Sequence, residues 1–165
     1  METKRTNKNN VGNAGEYYMA ARLSAENFIA TITLGRAERY DILAVSPKGR
    51  TVKISVKTRY DIKYSPNIFW LGKKDENKSD TDSYYAFVRL KEFKGEPDFW
   101  IVPASVVAKI TKKSYKHRIE GESVRKETKR KDTTIRNFHL KKVPGYPGDR
   151  EKQIEKYKGN IGLLK

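Results

Sequence analysis

Two residues that can act on a phosphodiester are spaced so that one face of a sheet can hold both. Asp41 lies at the start of the segment YDILAV (40–45), and Lys57 lies near the end of TVKISVKT (51–58). In the second segment the apolar residues occupy the even positions, so strand alternation puts Ser55 and Lys57 together on the other face. A carboxylate, a hydroxyl and an ammonium group can therefore meet on one surface.

The register between these two segments decides whether they meet. If Val45 pairs with Thr51, Asp41 stands opposite Ser55 on the face of Lys57, whereas a shift by one residue separates the two charges. In the first case Asp41 can hold Mg²⁺, which prefers oxygen ligands. The metal would lower the pKa of a bound water, and Lys57 would orient that water or neutralise charge on the phosphate. An ordinary ion pair and a solvated strand-end lysine remain alternatives.

The elements around this pair predict an α/β fold. Short β-branched segments bounded by turn residues predict strands at 28–34, 40–45, 51–58, 84–90 and 98–102, with a further short strand at 67–71. A first helix is predicted over 13–27, with Asn13 as N-cap and an apolar stripe that includes Tyr17, and a second opens at Pro103. A last helix over 150–164 is predicted to dock through Ile154, Tyr157, Ile161 and Leu164. The polar run GKKDENKSDTDS (72–83) is predicted to be a loop. The order of elements favours a central mixed five-stranded sheet flanked by helices. Four aromatic residues of the strands are expected in the core: Trp70, Tyr84, Phe87 and Trp100.

Composition limits the class of protein. The 165 residues suffice for a single domain, here taken as 1–165 with a disordered start at 1–10 and a basic arm or loop at 111–136. The absence of cysteine excludes disulfides, zinc-thiolate sites and thiol nucleophiles. We expect a cytoplasmic protein without a membrane segment, because no apolar run approaches the length of a signal peptide or a bilayer span.

The charge indicates a polyanionic partner. The chain carries a formal charge of +16, with 18 basic and 7 acidic residues in the part that follows residue 108. Such an excess favours nucleic acid, because each neutralised phosphate releases counterions. A merely solvated basic surface is the alternative.

Three runs resemble the PD-(D/E)XK nuclease superfamily, which has a restriction-endonuclease-like core, and in particular its branch of Holliday-junction-resolvase-like and homing-endonuclease-like members. The runs are Asn13 to Glu16, Tyr40 to Leu43 and Ile54 to Thr58. The resemblance implies Glu16 and Asp41 as acidic metal ligands, the Val56 backbone carbonyl as a further ligand and Lys57 as the catalytic lysine. It implies Mg²⁺ as the cofactor, with Mn²⁺ as a substitute.

The chain departs from this pattern where Ser55 replaces the second acid of the motif. A hydroxyl is a weaker Mg²⁺ ligand than a carboxylate, so Ser55 is either a weak member of the site or an inert polar residue. Glu16 also has a second interpretation, because it stands three residues after Asn13 and fits a capping box.

These observations leave three hypotheses. The leading one is a Mg²⁺-dependent DNA endonuclease that acts on duplex or branched DNA, as a homodimer if both strands are cut. The others are a catalytically degenerate DNA-binding protein on the same fold and a basic RNA-associated protein. Basic and aromatic residues outside the motif are predicted to contact the nucleic acid: Arg59, Tyr60, Lys63, Lys73, Lys74, Arg125, Lys126, Lys129, Arg130 and Lys131.

Overall fold

A computed structural model describes residues 7–33, 40–60, 67–91, 95–121, 131–141 and 149–165. The helices of these residues are α1 (Lys8–Ala25), α2 (Ala104–Glu120) and α3 (Arg150–Glu155). The strands are β1 (Ile29–Ile32), β2 (Ile42–Val45), β3 (Thr51–Tyr60), β4 (Ile68–Gly72), β5 (Ser83–Leu90), β6 (Asp98–Pro103) and β7 (Ile135–His139). Short 3₁₀ helices cover Lys73–Asn77 and Ile161–Leu164.

Within the described residues, five strands form one sheet in the order β1-β2-β3-β5-β6. Strands β3 and β5 are parallel, and the other neighbouring pairs are antiparallel. Parallel neighbours need a crossover connection, which here includes β4 and the 3₁₀ helix Lys73–Asn77. Strand β4 pairs with β7 in a separate two-stranded ribbon. The predicted α/β fold with a mixed five-stranded sheet flanked by helices is confirmed.

The two faces of the sheet are covered by different elements. Met19 and Leu23 of α1 are fully buried and belong to a cluster with Ile54 and Val56 of β3. On the opposite face, β5 contributes Phe87 to a cluster that includes residues of β4, β7 and α2. Each fully buried side chain of this kind stabilises the fold by about 1.5–3 kcal/mol. The crossover is therefore packed on the face that carries the odd-numbered residues of β3.

Helix α1 differs from the prediction at its start and in the face that it buries. It begins at Lys8, and Asn7 is its N-cap, with the side chain accepting a hydrogen bond from the Asn9 amide at 3.0 Å. The assignment of Asn13 as N-cap is therefore wrong, and residues 8–10 of the predicted disordered start are helical. Residues 1–6 of that start lie outside the described part of the chain. The buried face comprises Gly15, Met19 and Leu23, whereas Tyr17 of the predicted apolar stripe is 61% exposed.

The basic segment 111–136 is not a loop along its whole length. Helix α2 continues to Glu120, and β7 begins at Ile135. The helix extends because Val107, Ala108 and Thr111 keep a buried face at helical spacing, which lets the basic residues occupy the other side. The intervening residues 122–130 lie outside the described part of the chain.

The last segment contains the predicted apolar contacts in a different backbone form. Helix α3 ends at Glu155, and a 3₁₀ helix follows at Ile161–Leu164. A helix over the whole of 150–164 is therefore wrong, since Lys158 makes an isolated β-bridge with Trp100 and Gly159 has φ +63°. The four residues predicted to dock this segment are all buried: Ile154, Tyr157, Ile161 and Leu164.

Candidate active site

Asp41 is fixed at the point where β2 begins and β3 continues beyond its partner. Val45 pairs with Thr51, which is the register that puts Asp41 on the face of Ser55 and Lys57. The Asp41 amide donates to the Ile54 carbonyl at 2.9 Å, and one carboxylate oxygen, Oδ2, accepts the Val56 amide at 2.6 Å. The side chain thus bonds the β3 backbone where β2 no longer does.

Ser55 and Lys57 lie on the face of β3 that the crossover covers. They pair with Tyr85 and Phe87 of β5, two fully buried residues of the second cluster. Ser55 is 7% exposed and Lys57 is partly exposed. The sheet therefore presents both side chains next to Asp41, at the end where β2 begins.

A cleft of about 250 Å³ opens at this place. It is lined by Asp41, Ser55 and Lys57 from the sheet, with residues of β4 and the crossover forming the remaining wall. Three lysines line it, namely Lys57, Lys74 and Lys78, against two carboxylates, Asp41 and Asp75. The lining is thus polar and carries a net positive charge.

Glu16 lies on α1, the helix that packs against β3. It lies in the interior of a helix capped by Asn7, so the capping-box interpretation is wrong. Burial raises the pKa of Glu16, the charge of Asp41 raises it further, and Lys57 lowers it. The ionised form of Glu16 is therefore disfavoured first by burial and then by the like charge of Asp41.

Gly15 sets the distance between α1 and β3. A Cβ atom added at this residue would lie 1.9 Å from Thr58 Oγ1 and 2.8 Å from Thr58 Cβ. Any larger side chain would push the helix away from the strand. The glycine beside Glu16 thus positions that carboxylate with respect to Lys57, the neighbour of Thr58.

The crossover contributes a buried polar group that the sequence analysis missed. Asp75 is 5% exposed and accepts hydrogen bonds from the Tyr85 hydroxyl and the Gly72 amide, both at 2.7 Å. Burial raises the pKa of Tyr85, and Asp75 raises it further, so the tyrosine stays a donor. A hydroxyl in an otherwise apolar strand needs a partner, which is the signal that could have drawn attention to the nearby acidic residues.

Lys78 is the second group that was missed. Its Nζ donates to Ser55 Oγ at 3.3 Å and lies 3.9 Å from Asp75. Burial lowers the pKa of Lys78, Asp75 raises it, and Lys57 lowers it. The polar run 72–83 was predicted to be a loop, whereas part of it forms the 3₁₀ helix Lys73–Asn77 and lines one wall of the cleft.

Trp70 was assigned to the core and is instead 65% exposed. The alternation of β4 turns Phe69 and Leu71 inward and Trp70 outward, where it lines the cleft. The Arg59 guanidinium lies 5.6 Å from the centre of its indole ring. The other three aromatic residues are buried as predicted, namely Tyr84, Phe87 and Trp100.

The residues predicted to contact nucleic acid lie in different environments. Lys74 lines the cleft, and Lys131 is exposed. Lys73 is exposed and pairs with Asp132 at 2.7 Å. Arg59 donates to the Ile68 carbonyl, and burial lowers its pKa; Tyr60 packs partly against the first cluster. The remaining five lie outside the described residues: Lys63, Arg125, Lys126, Lys129 and Arg130.

Two general features of the described ranges bear on a metal and on a membrane. No group of three or more His, Cys, Asp or Glu side chains in these ranges is arranged to hold a metal ion. The predicted metal site has only two such side chains, Glu16 and Asp41, and its third ligand is the Val56 backbone carbonyl. It therefore falls below this size and stays a prediction. None of the helices in the same ranges has both the length and the apolar character needed to cross a membrane.

The fold has a counterpart among solved structures. A bacterial homing endonuclease is similar over 96% of this chain and 93% of its own chain, with a TM-score of 0.55 and 12% sequence identity. The similarity is one of fold. No protein-family model and no curated protein sequence matches the chain.

Proposed function

We propose that the protein is a DNA endonuclease that hydrolyses phosphodiester bonds in the cleft around Asp41 and Lys57. The observation that carries the proposal is the convergence of Asp41 and Lys57 in one cleft where β3 extends past β2. Glu16 of α1 is coupled electrostatically to both, as the causes of its raised pKa indicate. The similarity in fold to a homing endonuclease supports it. The charge of +16 supports a nucleic-acid substrate.

The donor set suits a hard divalent cation. Glu16 and Asp41 offer carboxylate oxygens, and their mutual repulsion, which contributes to the raised pKa of Glu16, would be relieved by a cation between them. In this proposal the two carboxylates and the Val56 carbonyl hold Mg²⁺, or Mn²⁺ in its place. The bound ion would supply a water of lowered pKa and stabilise negative charge on the phosphate.

The chain's own groups have separate roles. Asp41 is oriented by the Val56 amide, which fixes its carboxylate at the mouth of the cleft. Lys57 would donate a hydrogen bond to the attacking water or to a phosphate oxygen, where its charge opposes the developing negative charge. Ser55 hydrogen-bonds with Lys78 and would act as a weak polar contact.

Basic residues at the cleft and beyond it would hold the DNA by its phosphates. We assign this role to three exposed residues, Lys73, Lys74 and Lys131. The ion pair of Lys73 with Asp132 limits how far the Lys73 side chain can reach. Such contacts fix the orientation of a duplex and read no sequence. Two copies of the chain, each with one cleft, would cut both strands of a duplex as a symmetric dimer.

The test is cleavage of supercoiled plasmid and of branched DNA by the purified chain with Mg²⁺ or Mn²⁺. We expect nicking that stops with a chelator and with Lys57→Ala or Asp41→Asn. Lys48→Ala, in the exposed β2–β3 turn, is the matched control and should cleave like the wild-type chain. Intact DNA over a wide range of both metals would refute hydrolysis.

Ser55 favours a second candidate, a DNA-binding protein without catalysis. The neutral residue and the small set of acids would then leave a site that binds DNA with a steep salt dependence and cuts nothing. Tight binding of a duplex together with complete absence of cleavage would distinguish it from the endonuclease.

A further inference from the structure

Lys78 brings an ammonium group to the cleft, beside the position where the resemblance implies an acid. Its Nζ is 3.3 Å from Ser55 Oγ and 4.9 Å from the centre of the Tyr85 ring. The side chain is 26% exposed, so the ammonium stands at the cleft wall and reaches the solvent only in part. Lys57 is on the same face of β3 as Ser55.

Neutralisation of Asp75 does not by itself account for this position. The Asp75 carboxylate already accepts two hydrogen bonds of 2.7 Å, from the Tyr85 hydroxyl and the Gly72 amide. Lys78 lies 3.9 Å from it, which is an ion-pair distance and too long for a hydrogen bond. The ammonium also donates a hydrogen bond of 3.3 Å to Ser55, which lines the cleft.

The electrostatics of the cleft favour an added anion. Burial lowers the pKa of Lys78, Asp75 raises it, the neighbouring Lys57 and Lys74 lower it, and Asp41 raises it. Like charges in a partly desolvated site repel each other more strongly than in water. A phosphate placed between the ammonium groups would relieve this repulsion and replace part of the lost hydration.

We propose that Lys78 and Lys57 together bind one phosphate of the DNA backbone in the cleft, while Asp75 and Tyr85 hold Lys78 from the side of the core. The proposal rests on the proposed function, since it assigns that site a phosphate contact. In this arrangement Ser55 does not stand in for a missing acid. It orients a cation at the place where a carboxylate would repel the substrate.

The test is the affinity for a short DNA duplex in EDTA, measured at several salt concentrations. Lys78→Met should weaken binding on the order of tenfold, the loss expected for a hydrogen bond to a charged group. It should also reduce the slope of log affinity against log salt by about 0.9, one phosphate contact. Lys78→Arg keeps the charge and should retain most of the affinity.

Lys48→Met is the matched control, because it removes one exposed lysine roughly 20 Å from Lys57 along β3. It should change the affinity little. Binding by Lys78→Met that equals binding by Lys48→Met would overturn the proposal. So would the absence of measurable duplex binding by the wild-type chain.

A second measurement covers the case in which Lys78→Met does not fold. Lysines of the wild-type chain are acetylated with and without the duplex and are quantified by mass spectrometry. The duplex should protect Lys78 and leave Lys48 reactive, and equal modification of Lys78 in both samples would overturn the proposal.

The two proposals fail in different ways. A wild-type chain that cuts no DNA, combined with weakened binding by Lys78→Met, would refute hydrolysis and support the phosphate site. A wild-type chain that cuts DNA, combined with unchanged binding and cleavage by Lys78→Met, would support hydrolysis and refute the phosphate site.

Discussion

Gly15→Ala tests whether the close approach of α1 to β3 positions Glu16. The added Cβ would lie 1.9 Å from Thr58 Oγ1 and 2.8 Å from Thr58 Cβ. Rotation of the threonine can move its hydroxyl, but its Cβ is fixed to the strand. Since carbon atoms pack at about 3.5–4.0 Å, the helix must move by about 1 Å. Overpacking of this kind costs about 1–3 kcal/mol of stability.

Gly12→Ala is the matched control, because nothing lies within 4 Å of a Cβ added there. Both substitutions gain about the same helix propensity, about 1 kcal/mol, which therefore cancels in the comparison. In urea denaturation we expect Gly15→Ala to be less stable than Gly12→Ala by about 1–3 kcal/mol. The added change Thr58→Ala should restore part of the loss.

The same displacement should also slow DNA cleavage, by more than the loss of folded protein accounts for. A misplacement of about 1 Å in a catalytic group can lower a rate by about 100-fold. We expect cleavage by Gly15→Ala to fall toward this value under conditions where the variant is fully folded. The reasoning is refuted if Gly15→Ala matches Gly12→Ala in both stability and cleavage.

Three further predictions concern single groups. Tyr85→Phe removes a hydrogen bond to the buried Asp75 and should destabilise the fold by about 1–3 kcal/mol in urea denaturation; an unchanged midpoint would contradict the role of the hydroxyl. Burial opposes ionisation of Asp98, but basic hydrogen-bond donors outweigh it and lower its pKa. The ionised Asp98 carboxylate therefore stabilises the fold above its unfolded pKa of about 3.9, and this stabilisation is lost as the pH falls through the lower folded pKa. The difference in Tm between wild type and Asp98→Asn should accordingly vanish in strong acid. A difference that persists there would contradict this role of Asp98. Burial raises the pKa of Glu16, and the charge of Asp41 raises it further. In ¹³C NMR the carboxyl group should therefore titrate above the ordinary value of about 4.3, and Asp41→Asn should lower the midpoint. An unchanged midpoint in Asp41→Asn would exclude electrostatic coupling between the two carboxylates.

The two strands and the faces of their side chains could be predicted from the sequence, but the register between the strands was left open. The register with Val45 opposite Thr51 was one of the alternatives, and it is the one that the structure has. Local alternation therefore determined which side chains share a face. The α/β class followed from the order of such segments.

The far wall of the cleft could not be predicted in the same way. Asp75 and Lys78 lie in a polar stretch without periodicity, and their positions depend on packing against Tyr85, which belongs to another strand. Propensity carries no information on such a long-range contact. The outward position of Trp70 likewise depends on which face of β4 meets the second cluster.

The inner face of α1 was missed for a related reason. Aromatic Tyr17 was expected to face the core, whereas small Gly15 lies against β3 and Tyr17 is exposed. A glycine in a helix reveals a close approach only when the neighbouring strand is known. The continuation of α2 to Glu120 was hidden because its basic residues outnumber the few buried ones.

The most direct test of the central claim is anomalous diffraction from crystals of the chain soaked in Mn²⁺. We predict one peak within coordination distance of both the Glu16 and the Asp41 carboxylates, and its loss in Asp41→Asn crystals. A soaked crystal without a peak between these carboxylates, or with manganese bound only elsewhere, would contradict the assignment of this cleft as a metal-dependent nuclease site.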